Sequence, residues 1–309
     1  MTYKCALLCM HGMGNLSIDE FRLAITKLRQ NLAERLPEDL LSKVYIPPSG
    51  IFYSSLTQGQ EDKAWNAMVY LGGLNTGFIR KTTVSKLRRF ILSGFSDATA
   101  FIGTNTSDAE DLYTAVQSTI IKSISDIYSH CGPNTPIIII SQSLGGQILS
   151  SYIWDAQNYL LSKKSGSIVK VNPRSYWANH ESTNDEHDSF LCLQSLKTLL
   201  TTGCNIPIFV SGFQDIRAIY NKQYGYNFNW FNFFDYDDLL GYPLSPLGQL
   251  FGHSNENSHG QSYADAVLDI QINANNGILG AITSSWNPFS HTQYWEDEVV
   301  LNAIAKAIT

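Results

Sequence analysis

The stretch Ile137-Ile138-Ile139-Ile140-Ser141-Gln142-Ser143-Leu144-Gly145-Gly146 carries the strongest structural signal in the chain. Its run of consecutive isoleucines predicts a buried strand, because branched side chains pack well on a pleated surface and a strand covered on both faces needs no polar alternation. From Leu144 to Tyr152 the pattern reads as the start of a helix. Ser143 then falls on a tight strand-to-helix turn, with Ser141 two residues before it and Gly145 two residues after. Small residues at those two places permit a sharp, strained turn, the arrangement called a nucleophile elbow. Such a turn lifts the Ser143 hydroxyl out of the sheet edge, at the positive end of the next helix, where it can attack a substrate beside backbone N–H groups. The strict pattern has glycine where this chain has Ser141.

Outward from the elbow, strand-like and helix-like segments alternate. Residues 5–10 (CALLCM) predict a short buried strand. A helix follows, with Ser17 as its N-cap, Asp19 and Glu20 in the first turn, and Phe21, Leu23, Ala24, Leu28 and Leu32 at helical spacing. Residues 44–47 and 51–53 read as a second strand interrupted by proline, and 64–71 as a helix. Residues 86–102 show helical spacing around Gly94. An amphipathic helix is predicted over 108–129, stopped by His130-Cys131-Gly132-Pro133. Beyond the elbow, 191–200 reads as helix and 206–210 (IPIFV) as a buried strand. Residues 230–234 (WFNFF) read as a strand ending in Asp235-Tyr236-Asp237-Asp238, 267–272 as a strand near the sheet edge, and 299–308 as a closing helix. Alternation of this kind predicts an α/β fold, a doubly wound, mostly parallel sheet with helices on both faces. The expected organisation is a single domain over 1–309, with a helical excursion at 72–105 and a polar insertion at 161–190.

Composition excludes several classes. With 309 residues and a formal charge of −6 there is no basic patch, so nucleic acid is not an expected partner. The five cysteines are odd in number and scattered, without a CxxC pair or a Cys/His metal spacing. They read as reduced thiols of a cytoplasmic protein, with no metal site. The first apolar run ends at once in His11-Gly12-Met13-Gly14, too short for a signal peptide. No stretch reaches the roughly 20 apolar residues of a membrane span, which leaves transient membrane contact as the only expected kind.

A serine hydroxyl needs a base to remove its proton, and the base needs a carboxylate to hold its tautomer. His291 is the candidate base, in Asn287-Pro288-Phe289-Ser290-His291, just ahead of the closing helix. Asp238 is the candidate acid, with Asp237, Asp235 and Asp215 as rivals; Asp215 enters because it follows the IPIFV segment. The chain order Ser143, Asp238, His291 suits a nucleophile elbow. An oxyanion needs two aimed N–H groups. Leu144, next after the serine, would supply one, and Met13 in the loop after the first strand the other, with Gly12 as second choice. His11 reads as a brace for that loop, His253 and His259 as solvent-facing, and Ser150 and Ser151 as packing residues.

The segments HGMG at 11–14, SQSLGG at 141–146, DDLLGYPL at 237–244 and SHTQYW at 290–295 resemble those of α/β-hydrolase superfamily serine hydrolases of the carboxylesterase or lipase type. HGMG is similar to the oxyanion loop of bacterial lipases, in which the residue after His-Gly donates its N–H; that implies Met13. DDLLGYPL followed by SHTQYW also resembles the C-terminal part of DDHD-type intracellular phospholipases, which favours Asp238 over Asp237. Ser141 departs from the family pattern, as does the absence of the family's leading strands ahead of HGMG. The resemblance implies a three-layer α/β-hydrolase fold and hydrolysis of a small-molecule or lipid ester through an acyl-enzyme, without a cofactor. It also implies that 72–105 is a lid over an acyl pocket, where the bare sequence equally suits an ordinary helical layer. Two alternatives stand beside it: a phospholipase or thioesterase acting on lipid acyl groups, and a catalytically inactive binding protein of the same fold.

Overall fold

The computed structural model describes residues 3–14, 16–56, 58–70, 112–164, 169–182, 184–250, 259–273 and 294–309, together with Arg89, Leu92, Gly94 and Phe101. Six strands form one sheet: β1 (Cys5–Met10), β2 (Val44–Tyr45), β3 (Ile137–Gln142), β4 (Leu196–Thr202), β5 (Asn229–Phe234) and β6 (Val267–Gln271). Their order is β2-β1-β3-β4-β5-β6, and every pair is parallel. The isoleucine strand β3 lies inside the sheet between β1 and β4, and all of its residues are buried.

Side chains of a strand alternate between the two faces, so one apolar run feeds two cores. Ile137 and Ile139 join the core built with α4 (Leu112–Cys131) and α5 (Leu144–Ser162), through residues such as Val116, Ile120, Ile148 and Tyr152. Ile138 and Ile140 join the opposite core, built with α1 (Ile18–Ala33) and α9 (Glu298–Ile308) through Phe21, Leu28, Val300 and Ile304. Helices therefore cover both faces. Local signals set the helix starts: Ser17 and Glu20 make a reciprocal capping box on α1, and Asp297 accepts the N–H groups of Val299 and Val300 on α9. Among the described residues no helix is long and apolar enough to cross a membrane.

Several expected elements differ. The segment read as helix over 191–200 is instead the end of α6 (Asp185–Leu191), a turn, and the start of β4. Its leucines fit helical spacing, but short apolar runs do not separate helix from strand by periodicity, and the threonines at 198, 201 and 202 suit a strand. IPIFV is not a strand but α7 (Ile206–Val210), with Pro207 in its first turn, where a missing N–H costs nothing. Residues 51–53 contribute a single bridge, Ile51 to Met10, rather than a strand. The other expected strands stand close to their positions, and β6 is the last strand of the sheet order. The helix read over 64–71 begins earlier, as α3 (Gln58–Tyr70). The excursion at 72–105 lies outside the described residues except at Arg89, Leu92, Gly94 and Phe101.

Part of the 161–190 insertion is tied down. Trp177 is buried against Tyr152 and Tyr159, and His180 Nε2 lies 2.8 Å from Asp188 Oδ1. The Tyr176 N–H donates to Gln117 Oε1 at 2.8 Å, and the Thr114 hydroxyl to the Arg174 carbonyl at 2.6 Å. At the centre of this junction the buried Asp155 of α5 accepts from Tyr113 at 2.5 Å, Gln117 at 2.7 Å and Asn172 at 3.5 Å, all on Oδ2. Burial pushes its carboxyl up from 3.8 to about 6, against the pull of those hydrogen bonds.

A raised carboxyl pKa means that the folded chain keeps a proton that the unfolded chain has released. The stability contribution of Asp155 is therefore present below pH 3.8 and is lost as pH rises to about 6. Asp155→Asn keeps an oxygen for the three donors and removes the buried charge. The variant is expected to gain about 1.5 kcal/mol relative to wild type between pH 5 and pH 8, as read by urea unfolding at each pH. A constant difference across that range would contradict the assignment.

Candidate active site

The chain runs from β1 outward to β2, then returns past β1 to β3 and continues to β6. The winding direction reverses between β1 and β3, and ligands of open parallel sheets bind beyond the carboxyl ends of strands at such a switch point. The two segments that leave those carboxyl ends are His11-Gly12-Met13-Gly14 and Ser143.

Ser143 joins β3 to α5 with φ 50° and ψ −124°. A positive φ at a residue with a Cβ costs of order 1–3 kcal/mol unless its surroundings enforce it. Here the Ser143 N–H donates to the Thr202 carbonyl of β4 at 2.9 Å, and the Ser143 carbonyl accepts from the Gly146 N–H at 3.0 Å. The flanking space is closed. A Cβ on Gly145 would run into the His11 carbonyl oxygen, and one on Gly12 would lie 2.8 Å from Ser143 Cβ. Glycine at 145 thus answers to the passing of the β1 loop as much as to the turn. Ser141 is fully buried and fits the place where the strict pattern has glycine. Ser143 is only 1% exposed, and among the described residues its Oγ has no hydrogen-bond partner. As the first residue of α5, Leu144 has an N–H with no intrahelical acceptor.

His11 shapes the facing loop. Its Nε2 accepts from the Tyr53 N–H at 3.1 Å, which places the ring proton on Nδ1, 2.6 Å from the Gly12 carbonyl. The ring stacks on Tyr53 at 4.2 Å and meets Phe21 and Phe52. Burial pushes its pKa down to about 4, so it is a neutral brace at physiological pH, as expected from sequence. Met13 is half-buried on the core, and Gly94 of the 72–105 excursion packs directly against its thioether.

The acid-bearing loop follows β5. Asp238 Oδ1 accepts from the Leu240 N–H at 2.9 Å, and Oδ2 from the Tyr294 hydroxyl at 2.7 Å. The Tyr294 oxygen in turn accepts from the Asp235 N–H at 3.1 Å. Burial and the adjacent Asp238 carboxylate hold the Tyr294 phenol far above its ordinary range, so it remains a donor. Asp235 is buried and accepts from the Asp237 N–H at 2.9 Å, an Asx turn; Asp237 is exposed. Asp215 is exposed, pairs with Arg217 at 2.8 Å, and follows the helix α7, so the strand-end reasoning that made it a rival is corrected.

A polar network that the sequence reading missed holds this loop to the sheet. Asn232 of β5 accepts from the Thr201 hydroxyl at 2.8 Å and donates to the Tyr242 carbonyl at 3.0 Å and to Asp269 at 2.7 Å. Asp269 of β6 also accepts the N–H groups of Leu244 and Ser245. The available signal was a lone polar residue inside each apolar strand, WFNFF and VLDIQ.

His291 and His253 lie outside the described residues. His259 is half-buried with a shielded Nε2, rather than solvent-facing. Among the described residues no group of three or more His, Cys, Asp or Glu could hold a metal ion. All five cysteines are free, and burial pushes the Cys204 thiol up to about 12, so it stays protonated. No protein-family model and no curated protein matches the chain.

Replacing Tyr294 with Phe removes the hydroxyl that accepts from the Asp235 N–H and donates to Asp238. Tyr294→Phe is expected to destabilise by about 1–3 kcal/mol in denaturant unfolding, whereas Tyr242→Phe on the exposed side of the same loop leaves stability unchanged. Equal behaviour of the two variants would mean that the Tyr294 bridge does not hold the loop.

Proposed function

We propose that the protein is a serine hydrolase of carboxylic esters on an α/β-hydrolase fold, with Ser143 as nucleophile, His291 as base and Asp238 as the acid that orients it. The observation that carries this reading is a serine in a strained conformation, at the sheet's switch point, whose shielded hydroxyl serves no structural bond among the described residues. A hydroxyl placed at that expense of backbone strain is positioned for chemistry. Asp238 follows a strand two places along the sheet and is fixed by two hydrogen bonds. His291 precedes Tyr294, the partner of Asp238, by three residues. Covalent reach alone keeps their Cα atoms within about 11 Å.

In this mechanism His291 takes the Ser143 proton as Oγ attacks the ester carbonyl, and Asp238 steadies the imidazolium. The N–H groups of Met13 and Leu144 hold the oxyanion. His291 returns the proton to the leaving alcohol, and water releases the acyl group by the same steps in reverse roles. No metal or organic cofactor takes part. Tyr236 and Leu239, which flank Asp238 in the chain, are 73% and 61% exposed on the loop after β5. Such apolar side chains beside the site favour a lipid acyl ester as the substrate, taken by a cytoplasmic enzyme in transient contact with membranes.

Hydrolysis of p-nitrophenyl butyrate tests the reading. Ser143→Ala and His291→Gln are each expected to lower kcat by about 10³-fold or more, and Asp238→Asn by about 10²–10⁴-fold. Asp237→Asn should stay near wild type. Turnover retained by folded Ser143→Ala would sink the assignment. The pH profile is expected to fall off on the acid side near the histidine pKa of about 6.5, since the base must be neutral. A profile flat through that range would remove His291 from its role.

A further inference from the structure

Several buried carboxamides among the described residues are paired at both ends. Gln117 donates to Asp155 and accepts from the Tyr176 N–H. Gln157 donates to the Tyr220 carbonyl and accepts from its N–H. Asn232 donates to Tyr242 and Asp269 and accepts from Thr201. Asn205 breaks this pattern. It is 0% exposed, and among the described residues neither Oδ1 nor Nδ2 has a hydrogen-bond partner. It is also the N-cap of α7, where an asparagine ordinarily accepts a helix N–H, yet its side chain makes no capping bond. Neither capping nor internal pairing, the usual uses of a buried carboxamide, occurs here among the described residues. A desolvated amide left in this state is destabilising, and its retention calls for a partner from outside the chain.

The position of Asn205 is specific. It lies three residues after Thr202, whose carbonyl holds the Ser143 N–H. The preceding Cys204 packs its sulfur at the first turn of α5, 2.9 Å from where a Cβ on Gly146 would stand. The Cys204 carbonyl accepts from the Tyr242 N–H of the acid-bearing loop at 3.0 Å. Asn205 thus follows directly on a residue that touches both the helix behind Ser143 and the loop of Asp238, at the carboxyl end of β4.

We propose that Asn205 is a substrate-positioning residue that hydrogen-bonds a free hydroxyl on the alcohol portion of the ester. This rests on the ester-hydrolase reading of Ser143. An amide with both ends open is matched by a group that donates and accepts, and a hydroxyl does both. The substrate class is thus a partial ester of a polyol, such as a glycerol monoester, rather than an ester of a simple alcohol. Discrimination of this kind is large, because the ligand without the hydroxyl leaves the buried amide unpaired.

Binding of glycerol monobutyrate and methyl butyrate to Ser143→Ala protein, measured by calorimetry, tests this without requiring turnover. The parent is expected to prefer the glycerol ester. Adding Asn205→Leu, which keeps the volume and branching, is expected to weaken glycerol monobutyrate about tenfold while methyl butyrate changes by less than about threefold. The same substitution should raise Tm by about 2 °C, since it removes an unpaired buried amide. Asn205→Ala serves for the binding comparison if the leucine variant does not fold. A fall in Tm for a folded leucine variant, an equal loss for both esters, or a parent without preference for the glycerol ester overturns the proposal. Failure of the ester-hydrolase reading shows separately, as wild-type protein that does not turn over p-nitrophenyl butyrate.

Discussion

The backbone at Ser143 is the constraint on which the site depends. A positive φ at a residue bearing a Cβ is not self-sustaining. It is imposed from three sides: the β4 carbonyl of Thr202 holds the N–H, α5 begins immediately and uses the carbonyl, and the β1 loop closes over Gly145. Each of these depends on the sheet register, since Met10 pairs with Ser141 and Gln142 with Thr202. A slip of one residue would reverse every side chain of β3 and turn the elbow away from the β1 loop. The isoleucine run resists that slip because both of its faces are buried in separate cores.

Around this rigid centre the loops are held by polar groups. His11 is locked as a neutral ring between Tyr53 and Gly12 and gives the β1 loop its course. Thr201, Asn232 and the half-buried Asp269 form a polar chain across β4, β5 and β6 that fastens the segment around Tyr242 and Leu244. Tyr294 then joins Asp238 to the beginning of the closing helical segment. Fully satisfied networks of this kind rigidify what they join. The contrast is with Ser143 and Asn205, where the polar groups are equally shielded and have no partner among the described residues. Both stand at the carboxyl end of the sheet.

Much of this was legible in sequence, and the reasons are local. The β3 run and the elbow after it were plain because consecutive branched residues and small residues at fixed offsets each have one good structural use. The Ser17 cap of α1 was equally direct. The 191–200 and 206–210 segments were misread because leucine spacing and a short apolar run suit either state, and only neighbouring strands decide. The switch point between β1 and β3 was not readable, since strand order is a property of pairing and not of any segment. Asn205, Asn232 and Asp269 were passed over for a related reason. A lone polar residue in an apolar stretch shows its meaning only when its partners, or their absence, are in place.

The most direct test of the central claim is covalent labelling of the purified protein by a fluorophosphonate, with the modified residue located by mass spectrometry. Such a reagent reports a serine hydroxyl made nucleophilic by its surroundings rather than one that is merely present. The expected result is a single adduct on Ser143, absent from Ser143→Ala. A folded wild-type protein that carries no adduct, or carries it on another serine, would contradict the account.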